Sequence, residues 1–323
     1  MAWTDLQYNV DSGQGGWFSN PRLSQQLRHA LVPLMKFRQF VDIKEGFGKG
    51  VGDTVYFDKI SKISTAGGTL IETNAMPEHQ FTIARGTISV SEWGNSIPYT
   101  GKLEALSNFD VQNPVIRVLR DDMASILDKA CGLEFKKADR KYTCTSTIAG
   151  TLESLAPGGN KTLASGKSVK GGWRLFHIRE VVKELKSRDV PKYDGENYIC
   201  IASVYFLNEI MKDAEWRDNV RYGDPARLFS GEVGRVYGVR FIEETNYLLD
   251  GIGSGTDFGE AVMFGKEAVI EGVVIPEEVR AKVPTDFGRS KGIAWYGIMG
   301  WERMWKNSDS GQDTHIIHLT GTE

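Results

Sequence analysis

The stretch N-P-V-I-R-V-L-R-D-D-M-A-S-I-L-D-K-A-C-G-L-E-F-K-K-A, from Asn113 to Ala138, decides how the rest of the chain is read. Ile116, Leu119, Met123, Ile126, Ala130 and Leu133 recur at alternating spacings of three and four, which puts one apolar stripe on a helix. Asn113 reads as the N-cap and Pro114 as the first helical position, where a missing N–H costs nothing. At 1.5 Å per residue such a helix spans roughly 35 to 40 Å, more than the width of a small domain. It is expected to act as a strut.

On the N-terminal side, residues 1–45 read as an arm. Asp11-Ser12-Gly13-Gln14-Gly15-Gly16 is a flexible link, and Leu23 to Phe40 shows helix-like apolar spacing weakened by Pro33. Such a start frays unless something holds it, and another copy of the chain is the expected holder. Val51 to Phe57 and Thr87 to Ser91 are β-type runs separated by about thirty mostly polar residues, the pattern of a long hairpin within 46–100. A two-stranded ribbon this poor in apolar residues is marginal alone, so it should lie against something larger.

Beyond the strut, Asp139 to Gly172 is rich in Thr, Ser, Gly and Lys and marks a boundary. Leu175, Ile178, Val182 and Leu185 make a second amphipathic helix, Tyr198 to Ile201 a buried strand, and Val204 to Arg221 a third helix. Short strands follow at Ala261–Phe264, Glu267–Ile275, Ile293–Trp305 and His315–Leu319. The whole is a mixed α+β chain with no internal repeat.

Composition narrows the function. The 323 residues carry a formal net charge of -3, the wrong sign for a dedicated nucleic-acid binder. Cys131, Cys144 and Cys200 are widely spaced, without a C-x-x-C pair, so a reducing compartment fits better than a disulfide framework or a zinc knuckle. No apolar run is long enough to span a membrane, and Met-Ala-Trp-Thr-Asp-Leu-Gln at the start lacks the charge and apolar core of a secretion signal.

Candidate chemistry fails on spacing. Ser165-Gly166-Lys167-Ser168 has the tail of a P-loop, but Lys161 stands where its first glycine belongs. In Gly251-Ile252-Gly253-Ser254-Gly255-Thr256, Thr256 replaces the third glycine of a dinucleotide loop and a strand follows instead of a helix. Gly231, Gly234 and Gly238 are spaced G-x-x-G-x-x-x-G before the strand-like Val239 to Glu244, so they read as turning and packing glycines. His315 and His318 lie three apart in a β-type run and should face opposite ways; His29, His79 and His177 are solitary. The pairs Asp121-Asp122 and Glu243-Glu244 diverge around a helix and across a strand, and the first is expected to be mostly solvated. Trp295, Trp301 and Trp305 suit buried core and subunit contact. No catalytic, cofactor-binding or metal-binding residue is assigned, and no enzyme activity is expected.

Taken in order, these segments resemble a tailed-bacteriophage major capsid protein of the Hong-Kong-97-type fold, of the N4-like group. Gly52-Asp53-Thr54-Val55 resembles the opening of that family's extended E-loop, and Asn113 to Ala138 its spine helix. Gly231-Glu232-Val233-Gly234 with the strand to Asn246 resembles a segment of its axial domain, and Met263 to Val269 its F-G-x-E-A turn and strand. The resemblance runs from about residue 46 onward and implies an N-terminal arm (1–45), an E-loop hairpin (46–100), a peripheral domain with the spine helix (101–172), an axial domain (173–285) and a return to the peripheral domain (286–323). It further implies a homo-oligomer of hexamers and pentamers, assembled in the host cytoplasm into an icosahedral virion shell around double-stranded DNA bound without sequence preference. A portal, a possible decoration protein and a separate scaffolding protein are the implied partners, the last because no long charged helical extension precedes the arm. Some relatives crosslink a loop lysine to an asparagine; Lys59 and Lys62 lie in the hairpin, but no motif marks a partner. The alternatives are a nanocompartment shell that encloses an enzyme, and a nucleotide-using enzyme built on Ser165–Ser168 or Gly251–Gly259.

Overall fold

The computed structural model describes residues 35–44, 50, 52–60, 68–72, 75–76, 78–79, 81, 83–107, 110–145, 152–154, 161–164, 173–213, 216, 232–248, 257–306 and 314–322. A 3-10 turn, Phe37–Phe40, leads into β1 (Asp42–Lys44), β2 (Thr54–Ile60), β3 (Ile83–Ser89) and β4 (Ser91–Thr100). Two helices, α1 (Gly101–Leu106) and α2 (Gln112–Lys136), precede β5 (Lys141–Thr145), β6 (Leu152–Ser154) and β7 (Lys161–Ala164). Next come α3 (Leu175–Ser187), β8 (Tyr198–Ala202), α4 (Val204–Met211), β9 (Glu232–Val236) and β10 (Val239–Glu243). Four strands end the described chain: β11 (Asp257–Phe264), β12 (Val269–Ala281), β13 (Ser290–Arg303) and β14 (Ile316–Thr322).

These strands form an eight-stranded sheet in the order β6-β7-β5-β14-β11-β8-β10-β9, a four-stranded sheet β1-β12-β13-β4, and the two-stranded ribbon β2-β3. The sheets cut across the segment bounds read from the sequence. Strands β5 to β7 and β14 join β8 to β11 in the larger sheet, whereas β12 pairs with β13 and β1 in the smaller one.

Strand β8, within the larger sheet, is buried on both faces: all five of its residues are buried. Cys200 and Ala202 point into one core with Leu175, Ile178, Val182 and Leu185 of α3 and Phe206 and Ile210 of α4. Ile199 and Ile201 point into the other, with Leu119, Leu127 and Phe135 of α2. A strand covered on both sides needs a continuous apolar run, and Y-I-C-I-A supplies it.

Helix α2 joins the two sheets. At its middle, Asp122 accepts hydrogen bonds from Trp295 Nε1 of β13 at 3.0 Å and from Asn95 of β4 at 2.9 Å. Asp122 is therefore a sheet contact and not the solvated carboxylate expected from its helical position alone. At its end, Phe135 stacks against Phe264 of β11 with ring centroids 4.7 Å apart, and Lys136 pairs with buried Glu260 at 2.7 Å. The helix starts one residue before the expected cap. Asp110 accepts the Gln112 N–H at 3.0 Å, so Pro114 sits third in the helix, still within the first turn, where its absent N–H has no intrahelical partner to lose.

Buried charge fixes the chain where it enters this body. Phe37 packs on Phe135 with ring centroids 5.5 Å apart, and the Arg38 N–H donates to Asp128 of α2 at 3.1 Å. The Arg38 guanidinium bridges Glu271, fully buried on β12, at 2.9 Å and Glu277 at 2.7 Å. Asn246 donates to Asp128 at 3.3 Å, and Glu244 accepts the backbone N–H groups of Asn246, Tyr247 and Leu248 at 2.5, 2.8 and 3.0 Å. Burial pushes the carboxyls of Asp128, Glu244 and Glu271 upward against these donors, whereas the Arg38 hydrogen bond pulls Glu277 down.

Two outcomes follow from this core. Phe135→Ala should cost about 3 to 5 kcal/mol of unfolding free energy, read by chemical denaturation, because it empties the contact between α2 and the larger sheet. Asp128 keeps its proton in the folded chain to higher pH than its ordinary value of 3.8, so the folded state binds more protons than the unfolded one just above that value. Stability from this residue should fall as pH rises through that window. Denaturation midpoints between pH 4 and pH 7 should therefore show a flatter profile for Asp128→Asn than for the parent.

Candidate interaction surface

The ribbon β2-β3 divides cleanly between its faces. In register, Val55 lies opposite Ile88 and Phe57 opposite Gly86, all turned inward. Val55, Phe57 and Ile88 close a small core with Ile270 of β12. A Cβ on Gly86 would fall 2.1 Å from the Phe57 ring, so glycine is what lets that ring lie flat on the neighbouring strand. Lys59 donates to the Met304 carbonyl at 3.2 Å with its ammonium 5.6 Å from the Trp305 ring centroid. The larger body that the ribbon was expected to need is, at its base, its own chain.

The outer face has no such cover among the described residues. Tyr56, Ile60 and Ile83 are 57%, 63% and 58% exposed, and Ile60 and Ile83 sit directly across from one another. Arg85 pairs with Asp58 at 2.8 Å and lies over the Tyr56 ring, making a polar rim beside the apolar pair. Leu70, Ile71, Met76 and Phe81, between the two strands, are exposed as well. At the far end of the four-stranded sheet, Val283 and Phe287 in the turn between β12 and β13 are also open to solvent. Apolar side chains gathered in this way mark contact surface more often than random exposure.

Residues weighed as chemistry in the sequence lie apart. His315 Nδ1 donates to the Lys266 carbonyl, 2.7 Å away, and the ring stacks on Trp305; His318 lies 3.4 Å from Glu260. His177 takes the Arg174 N–H at 3.2 Å at the start of α3, a capping role that a solitary histidine in sequence does not announce. Glu244 organises a loop, again a role invisible without the fold. Trp295 and Trp301 are core residues. Cys131, Cys144 and Cys200 are buried free thiols; burial raises all three, Cys144 to about 12, which makes them poor nucleophiles.

Tyr237 and Gly238, with φ of 54° and 75°, form the two-residue turn that joins β9 to β10, and Gly234 leaves room for the Trp216 ring. Gly231, Ser165–Ser168, Gly251–Gly255, His29 and Lys62 lie outside the described residues. No group of three or more His, Cys, Asp or Glu that could hold a metal is found among the described residues, nor is any of their helices long and apolar enough to cross a membrane.

No family model and no curated protein matches the sequence. Solved structures do. A capsid protein of the cyanophage P-SCSP1u is 12% identical with a TM-score of 0.66, over 98% of this chain and 96% of that one. The capsid of the Helicobacter pylori bacteriophage KHP30 is 12% identical with a TM-score of 0.68, over 98% and 99%. The capsid of Ralstonia phage GP4 is 15% identical with a TM-score of 0.63, over 94% and 96%. The chain thus has the mixed α+β fold of phage capsid proteins of the Hong-Kong-97 type.

Proposed function

We propose that this chain is the major capsid protein of a tailed phage of the N4-like group, a structural subunit that assembles as hexamers and pentamers into an icosahedral head around double-stranded DNA. The observation that carries this is the end-to-end correspondence with phage capsid structures, 98% of this chain against 96% and 99% of theirs. In this reading residues 1–45 are the arm, 46–100 the E-loop and 101–172 the peripheral domain with α2 as spine. Residues 173–285 are the axial domain, and 286–323 return to the peripheral domain. Scaffolding, portal and decoration proteins are its partners, and assembly takes place in the host cytoplasm.

The physical work is adhesion between copies. One ribbon face of exposed isoleucine and tyrosine is a weak contact by itself, but a shell repeats it around every capsomer, and linked weak contacts multiply. A formal net charge of -3 leaves little repulsion between copies and gives DNA no general reason to adhere to the wall.

Purified full-length chain, alone and with a scaffolding protein, should give rings or megadalton shells by negative-stain microscopy. Charging the outer ribbon face in the double variant Ile60→Asp, Ile83→Asp should raise the concentration needed for assembly by roughly tenfold or more, while the unfolding midpoint stays near the parent's. A chain that stays monomeric under all these conditions would sink the reading. Nucleic-acid-free shells that copurify with an enzyme would move it to a nanocompartment.

A further inference from the structure

One cation and four carboxylates meet where the 3-10 turn seats on the body. Arg38 comes from the turn, Asp128 from α2, Glu271 and Glu277 from β12, and Glu244 from the end of β10. The Cys131 thiol of α2 lies among them and burial keeps it neutral, while Asp42 of β1 faces Lys266 and Glu267 instead. Asp128, Glu244 and Glu271 are buried, so full ionisation would set one guanidinium against four anions in a largely dry site.

The hydrogen bonds do not make up the difference. Asp128 accepts the Arg38 N–H and the Asn246 side-chain amide, and Glu244 accepts three backbone N–H groups, all of them neutral dipoles. Glu271 accepts from Arg38 through Oε1 alone, at 2.9 Å from Nη2 and 3.2 Å from Nε. Its Oε2 is buried and has no hydrogen-bond partner among the described residues. A bare anionic oxygen in such a place is far costlier than a hydroxyl. Protonation at Oε2 leaves Oε1 free to accept from Arg38, whose charge keeps Glu277 as its partner at 2.7 Å.

We propose that this cluster is a proton-operated latch: Glu271, with Asp128 in the same network, takes up a proton as residues 37–44 seat and returns it to solvent as they lift. The backbone makes Glu271 a suitable control point. Strand β1 is three residues long and lies at the edge of its sheet, with Ile43 directly opposite Glu271. The segment thus reaches the body at Glu271 twice, through the Arg38 side chain and through the β1 main chain. Burial raises the carboxyls of Asp128, Glu244 and Glu271, so the seated segment binds more protons than the lifted one. Seating is therefore favoured in mild acid and weakens as pH rises through their folded values. Glu277, pulled down by Arg38, acts in the opposite sense only below its ordinary value of 4.5.

Hydrogen exchange of the full chain, read before any assembly, tests the latch separately from the shell reading. After correction for intrinsic rates, amides of residues 37–44 should lose protection on the order of tenfold between pH 5 and pH 8, while those of buried β8 hold theirs. Glu271→Gln copies the protonated form and should keep at pH 8 the protection that the parent shows at pH 5. Asp128→Asn should remove part of the pH dependence. Equal protection of the parent at both pH values overturns the latch, and so does a parallel loss in β8, which marks global opening. Faster exchange of 37–44 in Glu271→Gln than in the parent at pH 5, with β8 still protected, also overturns it, because Glu271 is then needed as an anion. Should Glu271→Gln fail to fold, the pH profiles of the parent and of Asp128→Asn decide by the same criteria.

Discussion

Helix α2 must satisfy two sheets at once, and most of the structure depends on that double contact. A helix covered on one side needs a single apolar stripe; α2 also carries buried Cys131, Leu127 and Asp128 off the stripe of Ile116, Met123 and Ala130. Its middle meets the four-stranded sheet through Asp122 and Trp295, and its last turns meet the eight-stranded sheet through Phe135 and Lys136. With two different partners along its length, the helix sets the angle between them.

Buried charge adds specificity to this packing. Arg38 ties the 3-10 turn to the body: its backbone addresses α2 through Asp128, and its side chain addresses β12 through Glu271 and Glu277. Removing Arg38 would leave the fully buried Glu271 without its cation, which costs more than the pair contributes. The cluster therefore selects one way for the chain to enter the fold and penalises others. Lys136 and Glu260 do the same between α2 and β11.

Periodic signals were legible without the fold, and relational ones were not. The three-four spacing from Ile116 to Leu133 marks α2 within two residues at each end, and the apolar run of Tyr198 to Ile201 marks a doubly covered strand. Both depend on local sequence, where side-chain direction follows backbone period. What the sequence left hidden needs a partner distant along the chain. Asp122 reads as solvated until Trp295 is placed beside it, and Glu244 as an ordinary strand carboxylate until its loop folds back onto it. Gly86 is one more glycine in a polar ribbon until the Phe57 ring covers it. Strand β4 escaped for a similar reason: S-E-W-G-N-S-I-P is too polar to announce a strand, and it is ordered by pairing with β13 along its whole length.

The ribbon is finished on one face and left open on the other. Val55, Phe57 and Ile88 bind its inner face to β12, so the ribbon does not rely on another copy to have a shape. Its outer face is a different matter, since Tyr56, Ile60 and Ile83 gain nothing until water leaves them. Order supplied from within removes most of the entropy of docking, and exposed apolar area supplies the attraction. Were the inner face as polar as the tip, each contact would have to order the ribbon as well as bury it, and would be weaker for the same area. In the proposed shell, a ribbon ordered on one side and open on the other would give contacts weak enough singly to be reversed during growth and strong enough, repeated, to hold a closed surface.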